Sequence, residues 1–174
     1  MPTISQRGHD MPSSPIRKLA PLAADAERRG VKIFRLNIGQ PDIPTPQKAL
    51  DALKDIDRKV LEYSPSQGIL SLREALVNYY ERYQIKLTPD EIIVTSGGSE
   101  AVLFAFMSCL DPGDEIIVSE PAYANYMSFA ISAGAVIRTV PTTIDEGFCL
   151  PKVEKFEELI NERTKAILIC NPSN

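Results

Sequence analysis

Apolar residues along the chain fall into two periodicities that alternate, and from Glu91 onward they alternate with short connections. Ile16, Leu19, Ala20, Ala23 and Ala26 recur at helical spacing after Ser14-Pro15, which reads as cap and first helical residue. That helix runs to Gly30, with a kink at Pro21. Val31 to Ile38 carries β-branched and aromatic residues and predicts a strand; Thr45-Pro46 opens a helix to about Leu53. Leu72, Leu76, Tyr79 and Tyr80 predict an amphipathic helix over 69–83. Further strands are expected over 91–95, 115–119, 135–140 and 164–170. Helices are expected after Ser99 through about Met107, from Tyr123 to about Ala133 with a stop at Gly134, and over 152–161. Strands that are apolar on both faces, each followed by a helix, mean a parallel sheet covered by helices. Ligands of such sheets sit at the carboxyl ends of the strands, so the loops 96–100, 120–123 and 171–174 are expected to converge on one crevice.

The stretch that organises this pattern is Glu91-Ile-Ile-Val-Thr-Ser-Gly-Gly-Ser-Glu100. A β-branched run ending in two glycines and a serine turns a strand into a helix whose free N–H groups face outward, and those groups attract anions. Gly98 lets the backbone approach closely, so the N–H groups near Ser99 and Glu100 suit a dianionic phosphate; the plainer reading is a capped turn with no ligand.

Composition narrows the partners. With 44% apolar and 24% charged residues and a net charge of −4, the 174-residue chain has the make-up of a globular protein and no basic field for nucleic acid or a membrane surface. No run approaches a membrane span and residues 1–10 lack an apolar signal, which points to the cytoplasm. His9 is the only histidine and lies in a polar arm over 1–13, which argues against a histidine triad or metal site. Cys109, Cys149 and Cys170 stand in apolar surroundings and are expected to be reduced core thiols. The sequence stops just after an apolar strand, so the 174 residues are expected to be part of a longer chain.

Five motifs occur in order: Asn37-Ile-Gly-Gln-Pro-Asp42, Tyr63-Ser-Pro-Ser-Gln-Gly68 with Leu72-Arg73, Thr95 to Ala101, Glu120-Pro-Ala-Tyr123, and Asn171-Pro-Ser-Asn174. Together they make the chain resemble the N-terminal part of a class I/II aminotransferase, of the aspartate aminotransferase-like branch of the fold type I pyridoxal-phosphate enzymes. The resemblance implies a three-layer, mostly parallel α/β sheet with helices on both faces. It makes 1–45 an arm and small-domain segment, and 46–174 the first part of the cofactor-binding large domain.

The resemblance also implies site roles. Gly98, Ser99 and Glu100 would cradle the phosphate of pyridoxal 5'-phosphate, with the Glu100 carboxylate turned away. Tyr123 would stack on its ring, Asn174 would hydrogen-bond its 3-oxygen, and Gly39 would lie beside the substrate carboxylate. Tyr63 would cross to the other subunit's phosphate, which implies a homodimer. Each also has a plainer role: a turn residue at Gly39 and Asn174, a first-turn acid at Glu100, and a packing aromatic at Tyr63 and Tyr123. Tyr126 is assigned to packing.

In the family the Schiff-base lysine, the aspartate at the pyridine nitrogen and the arginines follow this region, so the 174 residues alone are expected to be inactive. The implied reaction transfers an amino group from an amino acid, with aspartate one option, to a 2-oxo acid. A lyase or cyclase on the same fold, or a non-catalytic binding module, are the alternatives.

Overall fold

The structure is a computed structural model that describes residues 2–171. By contacts these residues form two units, one built from 2–39 with 99–171 and the other from 40–98.

The first unit is built on β1 (Glu115–Ser119), β2 (Val136–Val140) and β3 (Thr164–Leu168), all parallel, in the order β2-β1-β3. A chain that leaves β1 for β2 on one side and returns to β3 on the other must, with right-handed crossovers, place its connecting helices on opposite faces. Burial shows that arrangement. Ile116 and Val118 pack with Phe106 and Leu110, at the end of α5 (Gly98–Cys109), and with Ala130 of α6 (Asn125–Ala133). Ile117 points the other way, onto Val140, Phe156 and Leu159 around α7 (Val153–Glu157). The expected three-layer α/β arrangement is present.

Two local features frame the strands of this unit. Gly134 ends α6 with φ of 80°, and its N–H closes the helix on Ile131 O, a left-handed cap that costs glycine little. Asp114 folds the turn before β1 by accepting the Asp111 N–H at 2.8 Å.

Several expectations are corrected. Residues 31–38 form no strand: the Lys32 ammonium lies over the Phe34 ring, Arg35 pairs with Glu27 at 2.8 Å, and Leu36 is exposed. A β-branched run without a neighbour to ladder with does not become a strand, and no described residue pairs with it in a sheet. Residues 92–95 pair with no described strand for the same reason, and the Val94 N–H donates instead to Gln67 O. The helix expected from Ser14-Pro15 to Gly30 is α2 (Ala20–Arg28), preceded by a 3₁₀ turn over Arg17–Leu19, so Pro21 sits in its opening turn rather than at a kink. The arm contains α1 (Gln6–Asp10), capped by the Ser5 side chain. The helix expected over 152–161 is a short one, α7. β2 and β3, each with one neighbour among the described residues, alternate between exposed and covered residues instead of burying both faces. None of the three cysteines is in a disulfide, as expected, but all three are exposed rather than in the core. They sit at a helix end and in loops, where apolar neighbours in sequence are not neighbours in space.

The second unit holds α3 (Gln47–Lys54) and α4 (Leu70–Glu81). Buried Arg73 joins α4 to the chain before residue 92, donating to Gly68 O at 3.3 Å and Pro89 O at 2.7 Å. Gly68 has φ of 96°, and a Cβ there would stand 2.6 Å from Val94, so this loop requires glycine.

At the amino end of the sheet, Glu115 is completely buried. The hydrogen bonds from Arg138, then from Asn161, hold its carboxyl down to about 2.

Candidate functional site

The carboxyl end of the sheet opens into a cavity of about 840 Å³. The chain leaving β1 forms one wall from Ser119 to Tyr123, with the Glu120–Pro121 peptide cis. The chain leaving β3 forms another, Ile169 to Asn171. Thr142, after β2, donates its hydroxyl to Glu120 O and fixes the two exits to each other, and the Glu120 N–H donates to Val140 O at 2.8 Å. The cavity lies between β1 and β3, where the strand order reverses, the place where open α/β sheets leave room for ligands.

Tyr123 is 40% exposed, and its ring is fixed from two sides. Its hydroxyl accepts from Asn125 Nδ2 at 2.7 Å, and Tyr126 packs edge-on with centroids 5.4 Å apart. Tyr126 also lines the cavity; burial first, then a hydrogen bond with the Cys170 thiol, raises its hydroxyl above the usual tyrosine range, so it stays neutral. The segment before the second unit contributes Asn37 and Gly39. The Asn37 side chain donates to Ile16 O at 3.2 Å, which ties this segment to the start of the chain. A Cβ at Gly39 would meet nothing within 4 Å, so packing does not demand glycine there and the space is open to a ligand.

The structure therefore brings together Tyr123 and Gly39 of the expected site residues. Gly98 and Ser99 are exposed at the start of α5 and Glu100, in its first turn, is half-buried; Ser99 and Glu100 do not line the cavity. Gly98, like Gly39, has open space where a Cβ would stand. Tyr63 is fully exposed in the second unit. Asn174 lies outside the described residues. Sequence reasoning missed Thr142, Phe148 and Cys149, which reach the cavity from the connection after β2. Their only signal was the turn-forming Thr143 to Gly147 beside them. Neither Lys152 nor Lys165 lines the cavity. No helix among the described residues is long and apolar enough to cross a membrane, and no cluster of metal-ligating side chains occurs among them.

Comparison with known proteins gives this geometry a family. The sequence profile described as aminotransferase class I and II matches residues 31–174. The chain belongs to that family. An aspartate aminotransferase of Thermotoga maritima is 35% identical over 98% of this chain and 46% of its own length, and its crystal structure superposes with a TM-score of 0.90. An aspartate aminotransferase of Rhizobium meliloti, 30% identical, superposes with a TM-score of 0.91 over 99% of this chain and 43% of its own. A (5-formylfuran-3-yl)methyl phosphate transaminase of Methanocaldococcus jannaschii is 35% identical over 98% of this chain and 44% of its own length. The chain spans about half the length of the curated relatives it matches. Aminotransferases of this family depend on pyridoxal 5'-phosphate. The cavity fits such a group: it offers an aromatic ring held in one plane, polar side chains at its rim, and an uncrowded glycine.

Proposed function

We propose that these residues form the first part of an aminotransferase that moves an amino group from an amino acid to a 2-oxo acid, with residues 1–45 in its small domain and 46–174 opening its large domain. The observation that carries this reading is the meeting of Tyr123 and Gly39 on one cavity at the carboxyl ends of β1 and β3, in a chain of this family.

When bound, pyridoxal phosphate supplies the electron sink that makes loss of an amino acid's α-proton feasible. The chain's own residues bind and orient. Tyr123 covers one face of the ring, and its hydroxyl contact with Asn125 keeps that face in place. The backbone N–H groups of Gly98, Ser99 and Glu100, at the positive end of α5, take the phosphate, with the Glu100 carboxylate directed away. Asn174 donates to the 3-oxygen. Gly39 admits the substrate carboxylate, and Tyr126, kept neutral, closes the cavity behind Tyr123 without adding charge.

Tyr63, exposed on its loop, reaches the phosphate of a second subunit in a homodimer. The lysine that carries the cofactor and the arginines that read substrate carboxylates come from residues outside 1–174. The amino donor is not fixed by these residues; aspartate is the first to try, since the relatives named above include aspartate aminotransferases.

The test is formation of oxo acid from aspartate by the full-length protein with pyridoxal phosphate, with and without a 2-oxo acid acceptor. Transamination requires the acceptor. Product formed equally without it would replace this reading with a lyase, and no product from any amino acid would remove the enzyme assignment.

A further inference from the structure

Glu115 opens β1 at the end of the sheet opposite the cavity, and none of its surface reaches solvent. A carboxylate taken that far from water must be met by charge and hydrogen bonds. Arg138 donates through Nε and Nη2, each at 2.9 Å, Arg163 Nη2 lies 2.6 Å away, and Asn161 Nδ2 donates at 2.9 Å. These donors belong to different elements: Arg138 to β2, Asn161 and Arg163 to the turn that feeds β3.

That turn is itself stitched. The Asn161 N–H donates to Thr164 Oγ1 at 3.0 Å, the Arg163 N–H to Asn161 Oδ1 at 2.9 Å, and the Glu115 N–H to Arg163 O at 2.8 Å.

The same point is where β3 falls out of step with β1. Glu115 stands opposite Thr164 and Ile116 opposite Ala166, so Lys165 is an extra residue; from there the pairing runs without slip to Val118 and Leu168. Side chains of a strand alternate between faces, so a shift of β3 by one residue would exchange its faces. Ala166 and Leu168 would leave the core under α5 and α6, and the cavity wall from Ile169 to Asn171 would be rebuilt from other side chains.

We infer that Glu115, with Arg138, Asn161 and Arg163, is a register clamp that positions the cavity wall following β3, and through it the bound cofactor. The inference rests on the functional reading above. Glu115 is a positioning residue: four strand steps of about 3.3 Å put it roughly 13 Å from the end of β1, out of reach of the reacting atoms.

The experiment measures pyridoxal phosphate affinity by fluorescence titration of the full-length protein, at a temperature where circular dichroism shows each variant folded. Glu115→Gln keeps the shape and removes the charge that both arginines face. It is expected to weaken binding about tenfold, the scale seen when groups supporting a binding shell are removed. Hydrogen exchange at residues 164–168 is expected to speed up in the same variant. Ile117→Ala, destabilising but outside the clamp and the cavity, is expected to bind as the parent does, and Arg163→Lys to keep more affinity than Arg163→Met. A clamp that only stabilises would leave affinity in folded Glu115→Gln unchanged, or would make Ile117→Ala equally weak; either result overturns the inference. If Glu115→Gln does not fold, the Arg163 pair, which alters a largely exposed partner, decides in its place. A parent protein that fails to bind pyridoxal phosphate removes the functional reading itself, and the inference with it, before any variant is compared.

Discussion

Truncating two adjacent residues of β1 tests the layering directly. Ile116 and Ile117 are 1% and 0% exposed and point to opposite faces, the first into the cluster of Phe106, Leu110 and Ala130, the second onto Val140 and Phe156. Cutting an isoleucine back to alanine loses roughly 2.4 kcal/mol of transfer free energy at about 0.8 kcal/mol per methylene-sized group. The residual cavity adds to this, which places each substitution within about 2–5 kcal/mol. Valine at either position should cost only about 1 kcal/mol. Against a typical total of about 5–15 kcal/mol, the alanine variants lose a large share of stability. Urea unfolding followed by circular dichroism, with the slope held to its parent value, reads the loss. Ile144→Ala, at a 75% exposed position, serves as control and should stay within about 0.5 kcal/mol. Were Ile117→Ala to cost less than about 1 kcal/mol while Ile116→Ala cost the full amount, the sheet would be covered on one face only and the three-layer arrangement would be wrong.

Three other outcomes are expected. Tyr123→Ala should weaken pyridoxal phosphate binding by about 5–150-fold, the equivalent of roughly 1–3 kcal/mol of stacking, while Tyr123→Phe keeps the ring and loses only the Asn125 contact; equal losses in a fluorescence titration would mean the ring does not stack. Glu115, held at about 2 when folded against an ordinary 4.5, contributes stability that is fully present above 4.5 and lost as pH falls toward 2. The stability gap between parent and Glu115→Gln should therefore be constant near neutrality and shrink between pH 4.5 and 2 in chemical denaturation series; a gap unchanged at low pH would contradict the network. Gly68→Ala should destabilise by about 2 kcal/mol or more, since its φ is positive and Val94 stands in the way, and a neutral result in thermal unfolding would disprove that close approach.

The elements whose cause is local were legible in the sequence. β1 occupies the expected 115–119, α6 stops at Gly134 because that residue can turn left-handed, and the carboxyl-end rule located the cavity walls that leave β1 and β3, though Ser99 and Glu100 of the expected loop 96–100 do not line it. The segments 31–38 and 91–95 were not legible as they stand, because a strand exists only as a member of a pair and their composition says nothing of a partner. Nor was the cavity's full wall: Ile16 reaches it from the start of the chain, and Thr142 and Cys149 from the connection after β2. Glu115 was visible only as an acid opening an apolar run. Its meaning depends on Arg138 and Arg163, which the sheet brings alongside and the linear order does not.

The half-covered strand β3 has a consequence for how the chain comes into being. Ile167 in β3 and Ile169 just after it present exposed apolar side chains, beside strand backbone groups that among the described residues are paired on one side only. Such an edge is a template for any strand that meets it, whether from the same chain or another. Domains emerge from the ribosome amino end first, so a nascent chain carries this open edge from the moment residue 169 clears the exit tunnel. Crowded synthesis is therefore the condition under which this sheet is most prone to join the wrong neighbour. A charged residue at Ile167 should raise the yield of soluble chain if that edge is where aggregation begins.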